Sequence, residues 1–129
     1  MSGEAVSRAL ASPNAGTRLE AEVALALRRV GIEVTGFDRR VFDPARNRLA
    51  GQVDVETGAA LIEVTTSPNG KLEQVADTLR APLVNPDGKA VVLYAPNYGR
   101  AAGQAVMRAG VHLARTPEQL VAVLRALGD

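Results

Sequence analysis

The chain has 129 residues, enough for one domain with a hydrophobic core, and its 47% hydrophobic and 22% charged residues exclude an intrinsically disordered protein. A net charge of +1 excludes strong attraction of the whole molecule to nucleic acid, and 3% aromatic residues argue against binding single strands by base stacking. The absence of cysteine excludes disulfides and thiolate metal sites, no apolar run is long enough to cross a bilayer, and the first residues lack the apolar segment of a signal peptide.

Residues 1–14 are small and polar and are interrupted by Pro13. This composition predicts a flexible N-terminal arm, with no more than a marginal helix over residues 5–11. Residues 15–129 are then expected to form a single domain.

Residues 16–30 have the pattern of an amphipathic helix, with apolar residues three and four positions apart and Gly31 as the stop. At about 100° per residue, Glu20 falls beside the apolar stripe, whereas Glu22 falls on its other margin and further out. Glu20 is therefore the acid expected to face inward. The alternative is a solvated glutamate at the edge of the helix.

Residues 32–42 alternate as a strand, and residues 43–47 form a turn. Four arginines flank that turn: Arg39, Arg40, Arg46 and Arg48. They make either an exposed, solubilising loop or, near a metal-bound phosphate, a set of nucleic-acid contacts.

Residues 51–64 predict two strands joined by a turn at residues 56–59. Asp54 and Glu63 lie among the apolar residues of these strands. Because burying a lone carboxylate is expensive, an acid in such a strand needs a cation nearby. The two acids are therefore candidates to share a metal ion.

The rest of the chain alternates helix and strand. A helix starting at Asn69 or Gly70 carries Lys71 and Gln74 in its first turns, and residues 90–95 form a buried strand. A further helix, a short strand and a last helix, which has a capping box at Thr116, complete an α/β fold with a mixed sheet.

Glu20, Asp54 and Glu63 together suggest a site for a hard divalent ion. Mg²⁺ takes oxygen ligands and keeps several waters, so two carboxylates and a backbone carbonyl, here that of Val64, suffice. Mn²⁺ or Zn²⁺ are the alternatives. An ion of this kind polarises a phosphodiester and lowers the pKa of an attacking water.

This arrangement resembles the PD-(D/E)XK nuclease superfamily, the restriction-endonuclease-like fold with an αβββαβ core. The resemblance implies that Asp54 and Glu63 hold the metal, that Val64 lends its carbonyl, and that Glu20 completes the site. The sequence GTRLE at residues 16–20 is similar to the first helix of archaeal Holliday-junction resolvases in this superfamily, which favours Glu20 over Glu22.

Two positions depart from the superfamily pattern. Val53 replaces the signature proline, and Thr65 stands where the lysine is expected. Thr65 cannot supply a positive charge, so Lys71 on the following helix is the candidate replacement, with Gln74 orienting the lysine or the phosphate.

The segments GTRLEAEVA, VTGFDRRVFD, DVET…EVTT and GKLEQV are also similar to C-terminal toxin domains of contact-dependent growth inhibition and related polymorphic toxin systems. That similarity implies cleavage of tRNA, other structured RNA or DNA in the bacterial cytoplasm, after delivery within a larger secreted toxin. It also implies a small acidic immunity protein as partner.

Three other interpretations stay open from the sequence. The chain could be a resolvase-like or repair nuclease acting on DNA. It could be a non-catalytic nucleic-acid-binding or protein-binding domain of the same fold. The acids could also simply form ion pairs with arginines.

Overall fold

The computed structural model describes residues 3–70 and 72–129. The helices are α1 (Gly3–Leu10), α2 (Ala15–Arg29), α3 (Leu72–Arg80), α4 (Arg100–Arg108) and α5 (Pro117–Ala126). The strands are β1 (Val34–Asp43), β2 (Arg48–Thr57), β3 (Ala60–Val64), β4 (Ala90–Tyr94) and β5 (His112–Ala114). Over these two described ranges, no helix combines the length and the hydrophobicity needed to cross a membrane.

The strands form one five-stranded mixed sheet in the order β1-β2-β3-β4-β5. Strand β2 is antiparallel to both of its neighbours, β1 and β3, and β4 and β5 run parallel to β3. The α/β class, the mixed sheet and the order of elements predicted from the sequence are therefore confirmed.

Apolar side chains pack on both faces of the sheet. One cluster joins α1, α2 and α5 to the sheet, with Leu27, Ile62 and Leu124 among its buried residues. The other joins α3 and α4 to the opposite face through residues such as Leu79 and Val106. Because both faces are covered, β4 can be the continuous apolar strand that the sequence predicts.

The prediction of a flexible arm needs correction, because Gly3–Leu10 forms the helix α1. Val6 and Ala9 are three positions apart, which places both on one face, and both are buried in the cluster that contains α2. The connection to α2 is also held, since the Arg18 guanidinium donates to the Ser12 carbonyl (2.8 Å).

Helix α2, which carries Glu20, begins with a side-chain cap. The Thr17 N–H donates to Asn14 Oδ1 (3.0 Å), and the chain leaves the helix through Gly31, whose φ of 82° suits glycine. The predicted helix and its stop are thus correct to within one residue.

Candidate active site

Strands β2 and β3 separate at the candidate acids. Their paired residues are Val55 with Ile62 and Glu56 with Leu61, close to the turn. Further from the turn, a side chain takes the place of a backbone hydrogen bond between the strands: the Val64 N–H donates to Asp54 Oδ2 (2.9 Å). The Asp54 carboxylate thus enters the sheet itself.

The neighbouring strand bends at the same level. Asp38 has a φ of 50°, in the left-handed region that aspartate tolerates better than most residues. It lies opposite Asp54, because Phe37 pairs with Val55 and Arg39 pairs with Val53. The bend places a further acid beside the candidate site, one that the sequence analysis did not identify.

Glu20, Asp54 and Glu63 come together. Asp54, only 6% exposed, lies close enough to both Glu20 and Glu63 for each of these carboxyl groups to affect its pKa. Acids this close do not ionise independently of one another. The structure therefore brings the three sequence-predicted acids, from α2, β2 and β3, into one cluster.

The environment makes ionisation of this cluster unfavourable. Burial, together with the charges of Asp54 and Asp38, raises the pKa of Glu20 to about 8. Burial also raises the pKa of Glu63 to about 8, with Asp54 and Glu20 contributing. The pKa of Asp54 is raised by burial as well, against the lowering effect of its bond from Val64.

Within residues 3–70 and 72–129, no cationic side chain forms an ion pair with Glu20, Asp54 or Glu63. Ion pairs closer than 4.0 Å involve other acids: Glu56 with Arg39 and Lys89, Asp38 with Arg40, and Asp43 with Arg46. The interpretation in which Glu20, Asp54 and Glu63 are merely paired with arginines is therefore not what this part of the chain adopts.

The donor chemistry fits a hard divalent ion better than zinc, because every donor is oxygen and no cysteine is present. No group of three or more acids or histidines in the described ranges forms a ready-made cage for an ion. Mg²⁺ does not require such a cage, since one or two carboxylates with waters and a substrate phosphate are its usual ligands. Asp54 and Glu63 meet that requirement, and the contact recorded for Val64 is through its N–H.

Glu22 lies away from the cluster. Its side chain is exposed and borders a small cavity of about 80 Å³ between α2 and α5, beside Tyr94 and Leu120. Of the two glutamates, Glu20 is therefore the one whose side chain faces inward, as the sequence predicts.

The residues predicted to act around the missing motif lysine are Lys71, Gln74 and Thr65. Lys71 lies outside the described residues. Gln74 is exposed and borders a cleft of about 180 Å³ together with Glu63. Thr65 borders a second cleft beside Glu63, of about 250 Å³, and its hydroxyl accepts a bond from the Ser67 N–H (3.1 Å).

Arg39, predicted from the sequence to contact nucleic acid, occupies a structural position. Its guanidinium donates to Glu56 Oε1 (2.8 Å) and to the Val84 carbonyl (2.9 Å). Lys89 completes this network by donating to Glu56 Oε2 (2.7 Å) and to the Thr57 carbonyl (2.8 Å). Arg39 therefore ties β1 to β2 and to the loop before β4.

The other three arginines divide by distance from the acids. Arg40 borders a cleft of about 490 Å³ together with Glu20. Arg46 and Arg48 are exposed at the β1–β2 turn. Six residues of strand at about 3.3 Å each separate Arg48 from Asp54, roughly 20 Å. Only Arg40 of the four lies beside the cluster.

Several residues near the acids were missed from the sequence: Asp38, Gln52, Tyr98 and Arg8. Asp38 depends on a backbone bend and Arg8 on the docking of α1, and neither has a periodic signal. Tyr98 is recognised through its charge environment, because burial and then the Glu63 carboxylate raise the pKa of its hydroxyl.

Comparison of the chain with models of protein families, with curated proteins and with solved structures gave no match. The candidate site therefore stands on its own geometry.

Proposed function

We propose that the protein is a metal-dependent nuclease that hydrolyses phosphodiester bonds. One observation supports the proposal: Glu20 and Glu63 flank the buried Asp54 and border open clefts, and in the described ranges none of the three acids forms an ion pair within 4.0 Å. A cluster of like charges that lacks a protein cation suits an ion brought from solution together with a phosphate substrate.

In this proposal Asp54 and Glu63 hold a divalent ion, Mg²⁺ or Mn²⁺, and Glu20 binds it directly or through water. Such an ion supplies Lewis-acid polarisation of the phosphate and a more acidic bound water. The hydrogen bond from the Val64 N–H fixes the Asp54 carboxylate so that its other oxygen is directed to the site.

Lys71 remains the proposed group that orients the attacking water and offsets developing charge. Gly70, the residue before it, borders the same cleft as Glu63, which supports this choice. Gln74, bordering the neighbouring cleft with Glu63, is proposed to orient the lysine or the phosphate.

The order α2-β1-β2-β3-α3-β4 supports a PD-(D/E)XK core, because the proposed acids fall on its first helix and on its second and third strands. Within that superfamily we propose a toxin effector domain that cuts tRNA or other structured RNA, or DNA. The support is the resemblance of the segments around α2, the β1–β3 strands and the start of α3, together with Arg40 beside the site.

The test is incubation of the purified protein with total tRNA and with plasmid DNA, in Mg²⁺ or Mn²⁺ and in EDTA. We expect cleavage of one of the two substrates, dependent on the ion and abolished in the Glu63→Gln variant. Binding of both nucleic acids without cleavage under any ion would instead favour a non-catalytic domain of the same fold.

A further inference from the structure

Three neighbouring clefts border the acids and are here together called the groove. The largest, about 490 Å³ and here called the α1 cleft, shares Gln52 with the cleft of about 180 Å³ at α3. The α3 cleft in turn shares Glu63 with the cleft of about 250 Å³ that Tyr98 borders. Glu20 therefore borders the first cleft and Glu63 the other two.

Helix α1 forms one wall of the α1 cleft. Ala5, Arg8 and Ala9 border it from α1, facing Asp38 and Arg40 on β1. The wall is part of the folded domain, because Ala9 is itself buried in the core. Arg8 is exposed, and among the carboxylates whose side chains the structure describes, which leaves out Glu73, none lies within salt-bridge distance of it.

Two arginines therefore border the end of the groove that holds Glu20 and Asp38. A polyanion approaching these acids is repelled, so a cation beside each acid favours its approach. Arg40 is held only loosely, at 3.9 Å from Asp38 Oδ2, which leaves its guanidinium free to turn toward a ligand. Ser12 and Thr17 border the same cleft and add hydroxyl groups.

The opposite end of the groove has a different character. Tyr98, Ser67 and Asn69 border it, and the described residues that line it include no arginine or lysine. Phosphates are expected at the α1 end.

We propose that Arg8 and Arg40 form a phosphate-binding subsite at the α1 end of the groove and hold a nucleic-acid strand on one side of the acid cluster. This deepens the proposed nuclease function by assigning α1 to substrate binding. The subsite recognises the phosphodiester backbone that RNA and DNA share.

The test is equilibrium binding by the full chain carrying Glu63→Gln, in EDTA, to labelled single-stranded RNA, single-stranded DNA and duplex DNA. Arg8→Ala and Arg40→Ala are each compared with Arg46→Ala at the β1–β2 turn and Arg108→Ala on α4. All four remove one exposed positive charge, so a general charge effect appears equally in all.

We expect Arg8→Ala and Arg40→Ala each to weaken binding about 5- to 10-fold and to reduce the salt dependence by about one phosphate contact. Arg46→Ala and Arg108→Ala should change neither. Arg8→Lys should retain most of the affinity, and unchanged melting temperatures should show that α1 stays folded. Whichever of the three labelled nucleic acids binds most tightly identifies the type that the groove accepts.

Equal losses in all four variants, or none for Arg8→Ala, would overturn the subsite. Because binding is measured without catalysis, the two proposals fail separately. Binding that depends on Arg8 in a protein that cleaves nothing overturns the nuclease alone. If the protein cleaves nucleic acid but Arg8→Ala does not weaken binding, the subsite alone is overturned.

Discussion

The Asp54 carboxylate accepts a hydrogen bond from the Val64 backbone N–H at 2.9 Å, across the gap where β2 and β3 cease to pair. One oxygen of Asp54 thus satisfies a backbone donor that the sheet ladder leaves over, and the same carboxyl group contacts Glu20 and Glu63. Asp54 therefore serves both the fold and the candidate site, and different substitutions should separate these roles.

Asp54→Asn is expected to abolish cleavage while leaving the protein at least as stable as wild type. Asparagine keeps an oxygen for the Val64 N–H and removes a charge from the acid cluster. Asp54→Ala removes the acceptor as well, and a buried unsatisfied N–H costs about 1–3 kcal/mol. Urea unfolding of both variants and a cleavage assay measure the two effects. An active Asp54→Asn protein that is strongly destabilised would contradict the metal-binding role.

The three acids of the cluster could be identified from the sequence because each one stands out in a local sequence pattern. Asp54 and Glu63 interrupt apolar strands, and the 3.6-residue period of the helix orients Glu20. The structural position of Arg39 is not visible in the sequence because its partner, Glu56, lies 17 residues away, on the next strand. Such a pairing depends on strand register, which composition does not encode.

The docking of α1 and the bend at Asp38 escaped prediction for a related reason. Val6 and Ala9 are too few to predict a buried helix face from periodicity alone, and they are buried only because α2 offers a surface. The left-handed backbone of Asp38 has no periodic signal in the sequence. Both features are tertiary, and Arg8 and Asp38 reach the site through them.

Without a divalent ion, stability should fall as the pH rises from about 5 to 8. In the folded protein the pKa values of Glu20 and Glu63 are raised from 4.5 to about 8, so the folded state binds more protons than the unfolded state in this interval. Their contribution is complete below pH 4.5 and is lost as the pH passes 8.

Melting temperatures in EDTA across this range measure the effect, with the Glu20→Gln, Glu63→Gln double variant as control. We expect the wild-type curve to decline and that of the double variant to be flatter. Mg²⁺ or Mn²⁺ should raise the wild-type melting temperature most at pH 8, where the acids must otherwise ionise unaided. A wild-type melting temperature that increases from pH 5 to 8 in EDTA would refute the coupled, buried cluster.

The two lysines of the chain should behave oppositely when replaced by alanine. Lys71→Ala is expected to lower turnover on the order of 10²-fold with little change in binding or stability, as for a positioned catalytic group. Lys89→Ala should instead cost about 1–3 kcal/mol of stability, because it removes the bonds to Glu56 and to the Thr57 carbonyl. Single-turnover cleavage and urea unfolding separate the effects. Normal turnover by Lys71→Ala would mean that another residue orients the attacking water, and Arg40 would be tested first.

Arg39→Ala and Arg40→Ala test the division between adjacent arginines. Arg39→Ala should lower stability, because Glu56 and the Val84 carbonyl lose a donor. It should leave the salt dependence of nucleic-acid binding unchanged at temperatures well below unfolding. Arg40→Ala should preserve the melting temperature. If the two variants lose affinity equally without any change in stability, the structural assignment of Arg39 is wrong.

Expression of the wild-type protein alone should be toxic to a bacterial host, because a nuclease toxin must be neutralised in the cell that makes it. Glu63→Gln should be tolerated at the same expression level. The groove suggests the partner, since Arg8 and Arg40 beside the proposed metal site favour a protein whose acidic side chains imitate phosphates. Co-expression with the small acidic product of an adjacent reading frame should restore growth and give a complex that co-purifies, and Arg40→Glu should weaken that complex. Healthy growth of cells that accumulate soluble wild-type protein without any partner, with intact tRNA and chromosome, would rule out the toxin while leaving the α/β fold and the Asp54 cluster untouched.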